Sequence, residues 1–296
     1  MMMKNNLPYL INLPPFLLKN VDESSLSTAG KVFLILKGKF FALLIKATNK
    51  NIFCFVINFF FNKDGYIKFE NNKYVKITKS KSKLYFPNKR ILRVVRNYSF
   101  HLDFIYNSYL LEYVGLNSGD LVVDCGANVG ELFHAINEKH NEINYIGFEP
   151  DTRVFECLEL NVVGKNIKLE NTALSSKSST AKLYLDTSGA NSSLEKFSSK
   201  QHIEVKTINL DEYEIKGNIK LLKIEAEGHE PEVLKGSIET LSRTNYISVD
   251  FGPERGVNEE FTIVDVNKIL YENNFELIRF SEYRFIGLYK NKQISI

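Results

Sequence analysis

The feature that most constrains the fold is an apolar run that ends in a carboxylate and a glycine-rich turn. It reads Leu-Val-Val-Asp-Cys-Gly-Ala-Asn-Val-Gly at 121–130. Continuous Val and Leu residues are typical of a buried strand in a parallel sheet. We expect Gly126 to allow a tight turn that approaches a ligand, and Gly130 to allow close packing of the next helix. The segment predicts a strand, a turn and a helix whose first amides face a nucleotide-type ligand.

The position of Asp124 indicates which ligand. It stands where a pyrophosphate-binding loop has its first glycine, so the loop reads Asp-x-Gly-x-Asn-x-Gly. A carboxylate repels a diphosphate but accepts hydrogen bonds from an ammonium group. S-adenosylmethionine carries an ammonium and a sulfonium and no phosphate, so the loop favours this cofactor. An ordinary strand–turn–helix with a surface Asp is the alternative.

A second carboxylate follows the next apolar strand. This strand is predicted at 143–148, and Glu149 comes directly after it. A carboxylate at this place accepts hydrogen bonds from both hydroxyls of a ribose. A helix cap is the alternative role for such an acid. Together with the Asp124 loop, Glu149 favours an adenosyl ligand.

Strands and helices alternate from the glycine loop onwards. This order predicts an α/β fold with a mostly parallel sheet, right-handed crossovers and helices on both faces. Residues 181–185 and 203–207 alternate in polarity and predict an inserted antiparallel pair. Residues 275–280 and 285–289 predict a closing antiparallel pair.

The densest polar cluster of the second half is Lys-Ile-Glu-Ala-Glu-Gly-His-Glu at 223–230, where a core strand ends. Open α/β sheets bind ligands at this edge. Glu225 and Glu227 are candidates to bind the methionyl ammonium, to hold a divalent cation or to act as general base. His229 is another candidate base, since a helix N-terminus favours its neutral form. Asp250 ends the next strand and is expected in the same crevice. A solvated acidic loop that caps a helix is the alternative.

Composition excludes several classes of protein. A formal net charge of +3 without a dense Lys/Arg block argues against nucleic acid as a partner. The three cysteines are scattered, which fits a reducing compartment and predicts neither zinc nor disulfides. The longest uncharged stretch of the apolar region, 51–62, is shorter than the ~20 residues that a spanning helix needs. We therefore expect a cytoplasmic protein without a signal peptide or a transmembrane helix.

Residues 1–97 form an accessory region. Lysines alternate with large apolar residues over 31–61, which predicts two short helices that pack on the main domain. A basic amphipathic surface that rests on the inner face of a membrane is the other interpretation. The alternation over 65–86 predicts a small hairpin with its turn at Asn71-Asn72.

Several motifs together resemble the FkbM family of S-adenosylmethionine-dependent methyltransferases. They are Val-Asp-Cys-Gly-Ala-Asn-Val-Gly (123–130), Phe-Glu-Pro (148–150), Asn161, Ala-Leu-Ser (173–175), the 223–230 cluster and Val-Leu-Lys-Gly (233–236). The resemblance covers roughly 111–280. It implies a class I methyltransferase domain, placed here at 98–296, that methylates a hydroxyl of a sugar, glycan or other natural product.

By position, the resemblance assigns Asp124, Gly126, Asn128, Gly130 and Glu149 to the cofactor and implies that Glu225 and Glu227 lie beside the methyl group. Ala127 and Ala173 complete the expected cofactor site. The expected catalytic residues are Glu225, Glu227, His229 and Asp250, with no metal ligand assigned. The family usually has Asp at the position of Glu225, a small residue at that of His229 and Glu at that of Asp250.

Two other function classes compete with this one. A nicotinamide-dependent nucleotide-sugar dehydrogenase or epimerase would place Asp124 against the pyrophosphate. Its Tyr-x-x-x-Lys pair occurs here only at Tyr85 and Lys89, upstream of the loop and interrupted by Pro87. A non-catalytic, membrane-resting scaffold is disfavoured because the loop and Glu149 are both intact.

Overall fold

The computed structural model describes residues 17, 25–185, 192–196, 201–281 and 284–294. The chain divides into two compact units, Met1–His101 and Leu102–Ile296. The domain boundary expected after residue 97 stays a prediction. Within the described ranges, every helix is too short or too polar to cross a bilayer.

The first unit contains two helices and a small sheet. The helices are α1 (Thr28–Ala47) and α2 (Lys50–Phe60), so the two helices predicted for this region are confirmed. The hydroxyl of Ser27 caps α1 by accepting a hydrogen bond from the Gly30 amide at 3.2 Å.

The sheet of the first unit has three strands, β1 (Tyr66–Glu70), β2 (Lys73–Ile77) and β3 (Lys83–Phe86). Asn71 and Asn72 form the predicted turn with φ of +49° and +58°. Asn tolerates this left-handed backbone better than most residues, and it suits a two-residue hairpin. The prediction of one hairpin was incomplete, because β3 adds a third strand to β2.

The second unit is built on a seven-stranded sheet. The helix that precedes this sheet in the chain is α3 (Tyr98–Ser108), and the first unit ends within it, at His101. The remaining elements, in chain order, are β4 (Leu121–Cys125), α4 (Glu131–Asn137), β5 (Asn144–Phe148), α5 (Thr152–Asn161), β6 (Ile167–Glu170), β7 (Ala173–Leu174), β8 (Ser179–Tyr184), β9 (His202–Ile208), β10 (Ile219–Ile224), α6 (Glu230–Lys235), α7 (Ile238–Leu241), β11 (Thr244–Asp250), β12 (Pro253–Arg255), β13 (Glu260–Phe261), α8 (Ile263–Glu272), β14 (Phe275–Phe280) and β15 (Ile286–Asn291).

The strand order of the large sheet is β14-β15-β11-β10-β4-β5-β6. The five strands from β11 to β6 are parallel, and β15 is antiparallel to both of its neighbours. The closing antiparallel pair is therefore confirmed. The inserted pair is also confirmed, as β8 and β9, which β7 joins in a separate three-stranded sheet. The hairpin of β12 and β13 was not predicted.

Helices cover both faces of the large sheet. On one face, α6, α7 and α8 contribute Val233, Leu241, Val266 and their neighbours to a core that contains inward-facing strand residues such as Val123. On the other face, the ring of Phe133 in α4 packs against Tyr145 in β5, with centroids 5.2 Å apart. The expected α/β fold, a mostly parallel sheet with helices on both faces, is confirmed.

A buried ion pair joins the two central strands. Lys223 of β10 lies beside Asp124 of β4, with 2.9 Å between Nζ and Oδ1, and both side chains are almost fully shielded from solvent. Nζ also donates hydrogen bonds to the carbonyl oxygens of Cys125 and Gly126 at 3.1 and 2.8 Å. Burial opposes the charge, but the adjacent carboxylate raises the pKa of Lys223 well above its ordinary value.

Replacing Lys223 is expected to destabilise the second unit strongly. Lys223→Met leaves the Asp124 carboxylate buried without its counter-ion, at a cost of about 3–5 kcal/mol. Urea unfolding measures the effect. Asp124→Leu combined with Lys223→Met is expected to recover much of this loss, because no buried charge remains. Lys168→Met, on an exposed position of β6, is the control and should change stability by less than about 0.5 kcal/mol. An unfolding midpoint for Lys223→Met equal to that of the wild type would contradict the prediction.

Candidate functional site

The glycine loop closes tightly onto its neighbours. The amides of Gly126 and Ala127 both donate to the carbonyl oxygen of Phe148, at 3.0 and 2.9 Å. Gly126 has φ of +77°, and a Cβ there would lie 2.1 Å from the carbonyl oxygen of Glu225. Within the protein, Gly126 therefore lies closest to the end of β10.

Gly130 allows the start of α4 to pack closely against its neighbours, as expected from the sequence. Its φ is +89°, and a Cβ on it would lie 2.4 Å from Cγ2 of Val162. The side-chain amide of Asn161 donates to the carbonyl oxygen of Val129 at 2.8 Å. The start of α4 and the end of α5 are thus held together, which orients the first turn of α4.

Glu149 lies against the tip of the loop. Its Oε2 accepts from the amide of Asn128 at 3.0 Å, and its Oε1 accepts from the amide of Asp151 at 2.9 Å. Burial raises the pKa of Glu149 to about 7. The charge of Asp151 adds to this, while the two amide donors and Lys223 oppose it. Asn128 has φ of +50°, a left-handed backbone that Asn tolerates, and this turns its amide towards the carboxylate.

The other proposed cofactor residues lie deeper. Asp124 is fully buried between Lys223 and the hydroxyl of Tyr145, which donates to Oδ2 at 2.5 Å. Ala127 and Ala173 are buried, and Ala173 lies in β7. The Asp124 carboxylate is therefore committed to contacts inside the protein, and its effect on a ligand passes through the loop that Lys223 holds.

The polar groups at this edge of the sheet suit a cofactor that carries hydroxyl and cationic groups. Among the described residues, the charged groups at the loop are the carboxylates of Asp124 and Glu149 and the ammonium of Lys223, which Asp124 neutralises. A diphosphate would therefore meet the Glu149 carboxylate beside a cation that is already paired. The residues present thus fit S-adenosylmethionine.

Glu225 and Asp250 converge on one arginine. Arg284 donates to carboxylate oxygens of both residues, at 2.6 Å for Asp250, and to the hydroxyl of Tyr109 at 3.0 Å. The hydroxyl of Tyr109 donates to Glu225. The expectation that Glu225 and Asp250 share one crevice agrees with this geometry.

The charges around Glu225 make it a weak base. Burial raises its pKa, but Arg284 and Lys223 outweigh this and hold the pKa below its ordinary value. Burial and the charge of Glu225 instead raise the pKa of Asp250. Both carboxylates are engaged by Arg284, so their first effect is to fix the guanidinium.

Glu227 lies in the turn that follows β10. Its φ is +51°, and its carbonyl oxygen accepts from the hydroxyl of Ser193 at 2.6 Å. Its carboxyl group makes a hydrogen bond with that of Glu254, which follows β11 in the short strand β12. Two carboxyl groups from neighbouring strand ends thus contact each other at the sheet edge.

His229 belongs to a different group of side chains. Its Nδ1 lies 2.8 Å from Oε1 of Glu195, and its Nε2 lies 2.9 Å from the hydroxyl of Ser175. Glu195, His229 and Glu232 offer ligand atoms within 4.8 Å of one another. Arg255, however, binds Glu232 through two hydrogen bonds of 2.8 and 3.0 Å. Its guanidinium supplies the positive charge that this group needs, so we assign no metal there.

Four residues of the site were missed from the sequence: Tyr109, Glu195, Glu254 and Arg284. Tyr109 lies in an apolar stretch before the glycine loop, and Arg284 directly precedes a predicted strand. Neither lies in a recognisable motif. Glu254 follows Asp250 closely in the chain, and that spacing is the one signal that pointed to a further acid at this edge.

The chain shares its second half with known methyltransferases. Residues 124–277, a little over half of the chain, match the methyltransferase FkbM domain. The chain is similar to the hexuronic acid methyltransferase AglP of Haloferax volcanii, with 31% identity over 159 residues. The match covers 52% of this chain and 62% of that relative, so the chain spans about six tenths of the relative's length.

The chain is also similar to two solved structures at low identity. One is magnesium protoporphyrin IX methyltransferase (ChlM) from Synechocystis PCC 6803 with bound SAM. It has 14% identity and a TM-score of 0.40, and the match covers 66% of this chain and 79% of that one. The other is a SAM-dependent methyltransferase from Aquifex aeolicus, with 15% identity, a TM-score of 0.36, and coverage of 65% and 97%.

The domain match begins at Asp124 and includes the glycine loop, Glu149 and the acidic turn after β10. The match favours a methyltransferase over the nicotinamide-dependent dehydrogenase or epimerase considered from the sequence. The cofactor of this family is S-adenosylmethionine. The chain belongs to the FkbM family of S-adenosylmethionine-dependent methyltransferases.

Proposed function

We propose that this methyltransferase acts on a hydroxyl oxygen of a sugar or glycan. The observation that carries the proposal is the row of carboxyl groups at the ends of β10 and β11, beside the glycine loop. A hydroxyl must lose its proton as it accepts a methyl group, and carboxylates at this place are suited to take it. The similarity to a hexuronic acid methyltransferase supports a sugar as the acceptor.

For cofactor binding we propose Asp124, Gly126, Ala127, Asn128, Gly130, Glu149 and Ala173. Glu149 would accept hydrogen bonds from the ribose hydroxyls, and the loop from Gly126 to Gly130 would hold the rest of the cofactor. Asp124 acts indirectly, because with Lys223 it holds the loop carbonyls in place. When bound, S-adenosylmethionine supplies an electrophilic methyl group on a positively charged sulfur.

The protein's part in the reaction is to orient the acceptor and remove its proton. Glu225 and Asp250 hold Arg284 at this edge. We assign its guanidinium to orient acceptor oxygens. Of the four proposed catalytic residues, Glu227 is the favoured proton acceptor. His229 is the second, since Ser175 and Glu195 already engage its two ring nitrogens.

The protonation of Glu149 gives a test of the ribose assignment. With a pKa of about 7, Glu149 is largely protonated at pH 6 and ionised at pH 8. Hydroxyl donors favour the carboxylate, so the affinity for S-adenosylmethionine should rise by about three- to tenfold from pH 6 to pH 8. Isothermal titration across this range measures the change.

Two variants make this test specific. Glu149→Gln should bind more weakly at pH 8, by about 1–3 kcal/mol, and should lose the pH dependence. Glu159→Gln, on the exposed side of α5, should behave as the wild type. A Glu149→Gln protein with wild-type affinity at pH 8 would exclude the ribose contact.

Treatment of the product with mild alkali identifies the methylated atom, because a methyl ether survives it and a methyl ester is hydrolysed. Purified protein is incubated with methyl-labelled S-adenosylmethionine and either a hexuronic acid glycoside or the matching neutral hexose glycoside. We expect label on both, as a methyl ether that survives alkali, because the acceptor is a hydroxyl. Label confined to the hexuronic acid and released by alkali would identify a carboxyl methyl ester and contradict the hydroxyl proposal.

We also propose that the first unit contacts a membrane surface through the lipid-facing patch, defined as the exposed apolar side chains of α1 and α2. These are Val32, Phe33, Leu36, Phe40, Leu43, Ile52, Phe55, Phe59 and Phe60, each 45–73% exposed. Those of α1 recur at the spacing of one helical face. The rings of Phe40 and Phe60 meet at 6.3 Å, so the patch is continuous across both helices.

The charge of the same segment favours anionic lipid as the surface. Between Glu23 and Asp64 the chain has no acidic residue, and α1 and α2 contain Lys31, Lys37, Lys39, Lys46 and Lys50. An exposed apolar patch of this extent marks an interaction site, and flanking lysines are attracted to anionic headgroups by about 1 kcal/mol each.

Vesicle flotation tests the membrane contact. The protein should float with vesicles that contain anionic lipid and remain at the bottom with neutral ones or at high salt. Phe33→Ser with Leu43→Ser and Phe55→Ser should abolish flotation without unfolding, since these side chains are exposed. Val163→Ser with Val257→Ser and Val264→Ser, equally exposed in the second unit, is the control. Absence of flotation with anionic vesicles would overturn the proposal.

A further inference from the structure

We propose that Glu254 is a catalytic residue that shares one proton with Glu227, and that this pair takes the proton of the acceptor hydroxyl. This inference rests on the proposed hydroxyl methylation. It adds to the site a residue that the sequence motifs do not contain, and it assigns the base to two carboxyl groups rather than to one.

The first step of the argument is the position of Glu254. The chain turns sharply after β11, where the amide of Gly252 donates to Oδ1 of Asp250 at 3.0 Å and the amide of Glu254 donates to the carbonyl oxygen of Gly252 at 2.9 Å. A Cβ on Gly252 would lie 3.3 Å from Oδ1 of Asp250 and 3.7 Å from Oε1 of Glu254. The two carboxylates therefore flank the same glycine, and Glu254 lies at the edge that holds Arg284.

The second step is the strained conformation of Glu227. A left-handed backbone costs a residue with a side chain about 1 kcal/mol or more, and it persists only where the surroundings impose it. Here Glu230 imposes it, since its Oε1 accepts from the amides of Ala226 and Gly228 at 3.0 and 3.1 Å. Gly228 packs against β12, where a Cβ on it would lie 2.8 Å from the carbonyl oxygen of Glu254. The turn that carries Glu227 is thus held against β12, the strand that carries Glu254.

The third step is the electrostatic consequence. Two carboxyl groups in hydrogen-bond contact hold one proton between them, because two adjacent negative charges repel. Burial and the charges of Asp250, Glu225 and Glu230 raise the pKa of Glu254 to about 7, and the hydrogen bond from Glu227 opposes this rise.

The nearby cations do not neutralise the pair. Arg284 is engaged by Glu225 and Asp250, and Arg255 by Glu232 and the Gly228 carbonyl. The pair is therefore poised to accept a proton near neutral pH, where a general base is most effective.

The chemical step balances within these groups. The acceptor oxygen forms a bond to the methyl carbon as the carbon–sulfur bond breaks, and the electron pair of that bond goes to sulfur. The proton of the hydroxyl passes to the Glu227–Glu254 pair and then to solvent. No oxidant, metal ion or further reactant is required.

Single-turnover methyl transfer as a function of pH tests the pair. The wild-type rate should rise with a midpoint near pH 7 and then level off. Glu254→Gln should lower the plateau by about 100-fold and move the midpoint down by more than one pH unit, because Glu227 loses its carboxylate neighbour. Glu227→Gln should lower the rate similarly. Glu260→Gln, exposed on the same hairpin, should match the wild type.

A second readout does not depend on activity. Side-chain carboxyl 13C NMR of labelled glutamates should show two groups that titrate near pH 7. One should vanish in Glu254→Gln, and the other, from Glu149, in Glu149→Gln. Cofactor affinity of Glu254→Gln should stay within about threefold of the wild type.

The outcomes separate the two proposals. Absence of methyl transfer to any hydroxyl by the wild type, with both titrations present, would overturn the proposed function while the pair itself stands. Wild-type rate and midpoint in Glu254→Gln would overturn the pair while hydroxyl methylation stands. Activity that is lost on chelation and restored by Mg²⁺ would assign the two carboxylates to a cation and also overturn the pair.

Discussion

The site depends on a charge placed where water cannot reach it. Lys223 lies in the middle of the large sheet, and a buried ammonium needs oxygen partners on every side. It obtains them from Asp124 and from two carbonyl groups of the glycine loop. The loop conformation is therefore set by the solvation of a cation as much as by its glycines. The same ammonium lies 3.4 Å from Glu225, so the cofactor loop and the acidic edge are parts of one electrostatic unit.

The acidic edge separates into two groups with different surroundings. Glu225 and Asp250 enclose an arginine, whereas Glu227 and Glu254 face each other. The first arrangement holds the pKa of Glu225 below its ordinary value. In the second group, burial and the charges of Asp250, Glu225 and Glu230 raise the pKa of Glu254, and the hydrogen bond from Glu227 opposes this rise. His229 lies with Glu195 and Ser175 and is joined to Arg255 through Glu232. Similar residue types, set a few positions apart in the chain, thus acquire different chemical roles from their neighbours.

Much of the second unit could be predicted from the sequence, because the patterns that identify its elements lie within short stretches of the chain. Continuous apolar runs mark the parallel strands, Asp-x-Gly-x-Asn-x-Gly marks the loop, and acids at strand ends mark the edge. Glu254 and Arg284 could not be predicted in the same way. Their roles come from contacts with Glu227 and with Glu225 and Asp250, across turns and between strands that are distant in the chain. The third strand of the first unit was missed because β3 is short and its sequence alternates weakly.

The reversed direction of β15 has a consequence for how this site can diversify. In a fully parallel sheet, residues that precede a strand lie at the edge opposite the ligand. Because β15 is antiparallel to β11, Ile286 pairs with Asp250, and the residues just before β15 reach the ligand edge instead. Arg284 enters the site by this route. Arg284 belongs to neither the glycine loop nor the acidic turn, so a substitution at this position can change the acidic edge while the sequences of both motifs stay the same.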